Sequence, residues 1–180
     1  MIFVDYFEDT EAIATLDVLR RGGHEVITAS LMNREVISPK FSKGYLTDTK
    51  IEDIDYKEFD GIIIPGGPGS FKIMPNLSIV DELIHYFAKN NKLVAAICAA
   101  PHLVGKLGYL NNRDFTVHPG FEDQIIGGNY LREKGVVVSD NCITAKSMYY
   151  SIEFGLAIDR YFLGETHANE LEKSLQGEGR

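Results

Sequence analysis

Short apolar runs alternate with segments of helical periodicity along most of this 180-residue chain. The apolar runs have the length of buried strands, and the helical segments are long enough to cross back over a sheet. The alternation predicts an α/β fold, with a mostly parallel sheet and helices on both of its faces. In the first hundred residues we expect strands at 2–7, 25–29, 61–64 and 93–98, and helices at 10–21 and 78–88.

The first predicted helix has clear signals at both ends. Ile13, Leu16 and Leu19 recur at helical spacing, Asp9 or Thr10 is suited to cap the N-terminus, and a Gly-Gly pair ends the helix. Residues 35–50 interrupt the alternation with two strand-like pieces, which indicate a hairpin. We expect one domain over residues 1–176 and a frayed tail at 177–180.

The second half of the chain continues the same pattern. It contains strand-like runs at 115–119, 135–138 and 141–145. A last helix is predicted over residues 149–162, with Ile152, Leu156 and Ile158 facing inward.

Composition excludes several classes of partner. A net charge of −8 argues against nucleic acid or anionic membrane, which bind concentrated positive charge. No apolar stretch approaches the roughly 20 residues of a membrane span, and the chain enters a strand without a leader pattern, so we expect a cytoplasmic protein. Cys98 and Cys142 are expected to be free thiols, and we expect no metal site because no cluster has metal-ligand spacing.

Cys98 lies where an apolar run meets a helix-like segment. A thiol on a strand-to-helix turn faces unpaired backbone N–H groups and the positive end of the helix dipole, which together favour a nucleophilic thiolate. The alternative is a buried cysteine that acts as a small apolar residue. This segment alone leaves both interpretations open.

Three other places could join Cys98 at the carboxyl edge of the sheet, where open α/β proteins bind ligands. The glycine-rich turn after residue 64 could direct backbone amides at an oxyanion, or be a plain tight turn. Glu11 could share a proton with Cys98, or only complement the helix N-terminus. His118 ends a strand and could be catalytic or structural, His102 is a weaker candidate base, and Cys142 is expected in the core.

Five motifs in order match a known family. They are Glu11 ahead of Leu16–Arg21, the Pro65-Gly66-Gly67 turn, residues 95–101 around Cys98, residues 116–119 around His118, and residues 151–158. With these motifs, residues 1 to about 164 resemble the ThiJ/PfpI superfamily and, within it, the DJ-one/YajL-like branch.

The resemblance implies a flavodoxin-like three-layer sandwich of the class I glutamine amidotransferase type, in most cases a homodimer, with Cys98 on a nucleophile elbow. It implies a Glu11 carboxyl bonded to the thiol, Gly66 and Gly67 next to it, and His118 close by. It also implies an activity among glutathione-independent glyoxalase, deglycase, oxidative-stress sensing and chaperone function. Ala99 stands where the peptidase branch has a histidine, which argues against a peptidase.

Two segments depart from the relatives. Ser147–Tyr150 replaces a Gly-Pro-Gly turn before the last helix, which predicts a bulkier pocket wall. Lys40 stands near a position where relatives often have an arginine. For the dimer face we consider the first helix, with Asp17, Arg20 and Arg21.

Two hypotheses from different classes follow. In the first, Cys98 and Glu11 form a cofactor-independent enzyme for small reactive aldehydes, with the amides of Gly67 and Ala99 stabilising the alkoxide. In the second, Cys98 is oxidised in a redox-responsive stress protein without turnover. A chaperone-like dimer with a vestigial thiol is a third, weaker alternative.

Overall fold

A computed structural model describes residues 1–178; residues 179–180 of the predicted tail lie outside the described residues. Within the described range there are eleven strands and five α-helices. The strands are β1 (Ile2–Phe3), β2 (Ala29–Ser30), β3 (Val36–Ile37), β4 (Tyr45–Leu46), β5 (Thr49–Lys50), β6 (Gly61–Ile64), β7 (Leu93–Ile97), β8 (Asp114–Phe115), β9 (Asn129–Tyr130), β10 (Val136–Ser139) and β11 (Cys142–Ala145). The helices are α1 (Asp9–Arg21), α2 (Pro68–Lys72), α3 (Ser78–Lys89), α4 (Pro101–Gly105) and α5 (Ser151–Leu175).

The central sheet is mostly parallel, as predicted. Its strand order is β10-β11-β7-β6, in which β7 pairs in parallel with both β6 and β11 while β10 pairs antiparallel at the edge. A second parallel sheet, β1-β2-β5, adjoins the first where β1 contacts β6. Strand β7 is buried along its whole length, which is typical of a sheet that is covered on both faces.

Alternate residues of these strands form two separate apolar layers. Ile62, Ile64, Val94 and Ala96 pack on one face, against Val80, Leu83, Ile84 and Phe87 of α3 and Leu103 and Val104 of α4. Ile63, Ala95, Ile97 and Ile143 pack on the other face, against Leu19 of α1 and Phe154, Ala157 and Ile158 of α5. The period-two alternation of a strand thus builds the three-layer sandwich.

Several predicted elements differ in extent. The first strand covers only Ile2–Phe3, because the chain turns at Tyr6, whose φ is +61°. Ile152, which was predicted to face inward, is exposed on the outer face of its helix, and Ile13 of the first helix is exposed as well. The last helix runs beyond residue 162 to Leu175, with a break at Gly164 (φ +86°). The hairpin expected in residues 35–50 is present as antiparallel β3 and β4.

A buried carboxylate connects the two halves of α5 to the loop after α1. Asp159 is fully buried, and its Oδ1 lies 2.7 Å from Nε2 of His24 while its Oδ2 lies 2.9 Å from Nδ1 of His167. Burying a carboxylate is costly unless hydrogen bonds replace its water. These two contacts fix the segment beyond the Gly164 break against the domain.

The carboxyl ends of β1, β6 and β7 meet at one edge. The loops that leave these strands carry Glu8, Gly66 and Cys98 respectively, and the strands bring them to the edge where ligands bind in open α/β folds. Among residues 1–178 no helix combines the length and apolarity that crossing a bilayer requires.

The layer between the sheet and α5 provides a test of the fold. Replacing fully buried Phe154 by alanine is expected to lower the free energy of unfolding by about 3–5 kcal/mol, because it leaves a cavity between two packed layers. Ile152→Ala on the same helix removes a side chain that is 54% exposed and is expected to change it by about 0.5 kcal/mol at most. Urea denaturation of both variants measures the difference; equal losses would contradict the assignment of faces.

Candidate active site

Cys98 lies on a tight turn directly after β7. Its φ of +66° is in the left-handed region, which non-glycine residues rarely adopt. Its backbone N–H donates to the carbonyl of Ala145 at 2.8 Å, so the turn is anchored to the neighbouring strand. The thiol is partly exposed, whereas Cys142 is buried. This is the predicted nucleophile elbow, in which a strained backbone presents the side chain at the edge of the sheet.

Two backbone amides face the sulfur. The N–H groups of Ala99 and Gly67 both form hydrogen bonds to Cys98. The helix that follows is shorter than the sequence indicated, since α4 contains only five residues after a turn at Ala99–Ala100. The electrostatic support for the sulfur therefore comes from these two individual amides rather than from a long helix.

Glu11 is the acidic partner of Cys98. It lies in the first turn of α1, is 1% exposed, and its carboxyl is hydrogen-bonded to the thiol. Its Oε2 also accepts the backbone N–H of Gly66 at 2.9 Å. The structure thus brings Glu11, Gly66, Gly67, Cys98 and Ala99 together, from the first turn of α1 and the segments that follow β6 and β7.

Glu8 explains why Glu11 points inward. Its carboxylate caps α1 by accepting the backbone N–H of Glu11 at 2.9 Å, in place of the predicted caps Asp9 or Thr10. A carboxylate at this position satisfies the helix N-terminus. The Glu11 side chain is consequently free to extend toward the sulfur. The sequence signal for Glu8 was its position three residues before Glu11.

The two acidic groups share their protons. Burial raises the pKa of the Glu11 carboxyl to about 7, although its hydrogen bonds to Cys98 and Gly66 lower it. Burial, followed by the negative charge of Glu11, raises the pKa of the Cys98 thiol, whereas the Ala99 and Gly67 amides lower it. Because the charge of Glu11 acts only while the carboxyl is ionised, the pair holds both protons below about pH 7, and above it carries one proton and one negative charge.

This pair differs from the readily ionised thiolate that the sequence suggested. That expectation rested on a helix dipole, and the structure replaces it with a short α4 and a neighbouring carboxylate. The raised pKa keeps the proton on the Cys98 thiol, and the ionised Glu11 carboxylate is the group beside it that can accept that proton.

The turn at Gly66 and Gly67 has no room for side chains. A Cβ on Gly66 would lie 2.6 Å from both the Cys98 Cβ and Oε2 of Glu11. Gly67 has φ +89°, and a Cβ there would lie 2.4 Å from the Glu8 nitrogen. Both positions therefore require glycine, for close approach and for the left-handed backbone.

The histidines occupy different positions around the turn. His118 donates its backbone N–H to the Cys98 carbonyl at 2.8 Å, while its exposed ring has Nδ1 3.0 Å from the Pro119 carbonyl. A catalytic role for the His118 ring stays a prediction. His102 is buried, with Nδ1 2.8 Å from the Ala99 carbonyl, so it supports the turn beside the sulfur. Burial lowers the pKa of His102 and favours its neutral form.

Other predicted residues lie at the margin of the site. Lys40 is exposed, and its charge lowers the pKa of Glu11 to a small degree. The segment Ser147–Tyr150 begins two residues after Ala145, whose carbonyl accepts the Cys98 amide, and Tyr149 is 83% exposed. Cys142 is buried but accepts a hydrogen bond from Nη1 of Arg113 at 3.0 Å. Among residues 1–178, no three His, Cys, Asp or Glu side chains are grouped to hold a metal ion.

Comparison with known proteins gives a consistent result. The model of the DJ-1/PfpI family matches residues 1–160. The chain is 36% identical to the glutathione-independent glyoxalase DJR-1.2 of Caenorhabditis elegans, over 93% of this chain and 89% of that protein. It is 32% identical to a deglycase of Pyrococcus abyssi, over 81% and 87% respectively. The crystal structure of Drosophila melanogaster DJ-1beta superposes with a TM-score of 0.90 at 30% identity, covering 99% of this chain and 96% of that one.

The Gly67 geometry yields a prediction with a matched control. Gly67→Ala combines a left-handed backbone with a clash, so we expect it to lower the free energy of unfolding by about 2–5 kcal/mol. Gly164→Ala has nearly the same φ, +86°, with nothing within 4 Å of the added Cβ, and is expected to cost about 1–2 kcal/mol.

Chemical denaturation measures both losses, and the rate of Cys98 alkylation by iodoacetamide reports on the site. We expect Gly67→Ala to change the alkylation rate and Gly164→Ala to leave it unaltered. If the two variants behave alike, the close approach at Gly67 has been misassigned.

Proposed function

Because the chain belongs to the DJ-1/PfpI family, we propose that it is a cysteine-dependent, cofactor-independent enzyme that converts small α-oxoaldehydes to 2-hydroxy acids. A glyoxalase of this kind needs a nucleophile for the aldehyde carbon and a group that moves a proton between two adjacent carbons. Cys98 and Glu11 are the residues we assign to these two roles.

Two relatives support the substrate class by their names. One is called a glutathione-independent glyoxalase and another a deglycase. Reactive aldehydes, or the adducts they form, are the substrates that such names describe. These names belong to relatives, and the contact between Cys98 and Glu11 supports proposing the same chemistry for this chain.

The contact between Glu11 and Cys98 carries the proposal. As the sulfur attacks the aldehyde carbon, Glu11 takes the thiol proton and can return it to the aldehyde oxygen, which gives a hemithioacetal. The Glu11 carboxylate then removes the hydrogen on that carbon as a proton. Return of a proton to the neighbouring carbon gives a 2-hydroxy thioester on Cys98.

Hydrolysis completes the reaction. Water attacks the thioester carbon, the carbon–sulfur bond breaks, and Cys98 recovers its proton as the 2-hydroxy acid leaves. The aldehyde carbon is oxidised while the ketone carbon is reduced, so the conversion needs only water as co-reactant. The oxyanion formed in these steps lies two bonds from the sulfur, on the carbon bonded to Cys98, so the amides of Gly67 and Ala99 that face the sulfur can also stabilise the oxyanion.

The direct test uses methylglyoxal without glutathione. We expect the wild-type protein to form lactate, and Cys98→Ser to lower kcat/KM by at least about a thousandfold because it removes the nucleophile. Cys142→Ser is the matched control, since Cys142 is the other free cysteine and lies outside the site. Lactate formation by Cys98→Ser at the wild-type rate would refute the proposal.

The pH dependence tests the role of Glu11. Below about pH 7 the Glu11 carboxyl holds its proton and cannot accept the thiol proton, so kcat/KM should rise as pH increases through about 7. Glu11→Gln should lower kcat/KM by about 10²–10⁴-fold and remove the step. His118→Asn should keep the step, because it removes only the imidazole from the residue that is bonded to the Cys98 carbonyl and leaves Glu11 in place. Loss of the step in His118→Asn instead would assign it to the histidine.

Oxidation of Cys98 without turnover stays the alternative, supported by the greater exposure of Cys98 relative to Cys142. Failure of the wild-type protein to form lactate would favour it. The homodimer also stays a proposal. On the predicted face, Arg20 bonds to Asp48 and Arg21 to Asp17 within the chain, so these arginines already have acidic partners.

A further inference from the structure

Two phenylalanines lie on two of the segments that contact Cys98. Phe71 belongs to α2, which begins directly after Gly67, and Phe121 follows His118. Their ring centroids are 5.2 Å apart, with the planes inclined at 52°. We call this pair the aromatic wall. Phe71 is 38% exposed, so the wall is open to solvent on one side.

Backbone contacts link the segments that carry both rings to Cys98. The Gly67 amide bonds to Cys98, and Phe71 follows four residues later, about one helical turn along α2. On the other side, His118 donates to the Cys98 carbonyl at 2.8 Å, and Phe121 donates to the His118 carbonyl at 3.2 Å. The wall therefore bridges the two loops that border the nucleophile.

The wall is supported from beneath. The ring of Phe121 packs 5.7 Å from the imidazole of His102, which is 3% exposed and bonded to the Ala99 carbonyl. The His118 ring lies 6.3 Å from the Phe121 ring in an edge-on arrangement. Because Phe121 is held by these contacts, a ligand that packs on it does not have to order it first.

We infer that the aromatic wall binds the substituent on the ketone carbon of the substrate, and that the enzyme prefers α-oxoaldehydes with an aromatic substituent. This inference rests on the proposed function. With the aldehyde carbon bonded to Cys98 and its oxygen near the amides, the substituent extends away from the turn, along the bordering loops. A phenyl group there would cover Phe71 and pack on two rings in the inclined geometry that aromatic pairs favour.

The aromatic wall favours a phenyl substituent over a methyl substituent because of the apolar surface that each one buries. A phenyl ring removes more apolar surface from water on both partners than a methyl group does. The contact persists through every step at Cys98, so it raises kcat/KM for the whole reaction rather than for one step.

The experiment compares kcat/KM for phenylglyoxal with kcat/KM for methylglyoxal in each variant. The ratio of the two values is compared between proteins, which cancels the different intrinsic reactivities of the aldehydes. We expect Phe71→Ala to lower the ratio about tenfold, mainly by lowering the value for phenylglyoxal. Phe121→Leu keeps most of the buried volume and should lower the ratio in the same direction.

Phe162→Ala is the matched control, since Phe162 is 39% exposed but lies on α5 near His24, whose ring is 5.8 Å away. The ratio should be unchanged in this variant. If wild type turns over both aldehydes and Phe71→Ala leaves the ratio unaltered, the wall has no part in specificity, while the proposed function stands. If wild type turns over neither aldehyde, both the proposed function and this inference are overturned.

Discussion

The hydrogen bond between Glu11 and Cys98 is the interaction on which the proposed chemistry of this protein depends. A buried carboxyl and a partly exposed thiol in contact cannot both be ionised without strong repulsion, so above about pH 7 they hold one proton between them. The same arrangement makes the proton available where it is needed. The Gly66 amide donates to Oε2 of Glu11 at 2.9 Å, which fixes the position of the carboxyl relative to the glycine turn.

The rest of the edge is shaped to permit that contact. Cys98 adopts a left-handed backbone, and such strain persists only where surrounding contacts impose it. Here the Cys98 amide is bonded to Ala145 and its carbonyl to His118, so neighbours on both sides fix the turn. Glu8 satisfies the end of α1, which leaves the Glu11 carboxyl available for the sulfur. Each constraint is local, and together they place one acid beside one thiol.

Much of this could be predicted from sequence because it follows from periodicity. Alternating apolar runs predicted the parallel sheet, and the apolar run before Cys98 placed the thiol at the carboxyl edge. Periodicity does not report which face of a helix is covered by a neighbour, so Ile152 was predicted to face inward and is exposed. Nor does it report charge at short range: the effect of Glu11 on the Cys98 thiol depends on a contact between residues 87 positions apart, which only the folded chain creates.

The opposite edge of the sheet shows why concavity alone does not locate a site. A cleft of about 550 Å³ opens there, lined by residues that include Met1, Gly61 and Leu93, which stand at the amino ends of β1, β6 and β7. Its imidazole, His24, is already bonded to Asp159. The carboxyl edge instead combines a partly exposed thiol, a carboxyl with a raised pKa and two amides on one atom. Convergence of reactive groups, rather than cavity volume, therefore identifies the site. The parallel arrangement of β1, β6 and β7 produces that convergence, because the segments that follow these three strands leave the sheet at the same edge.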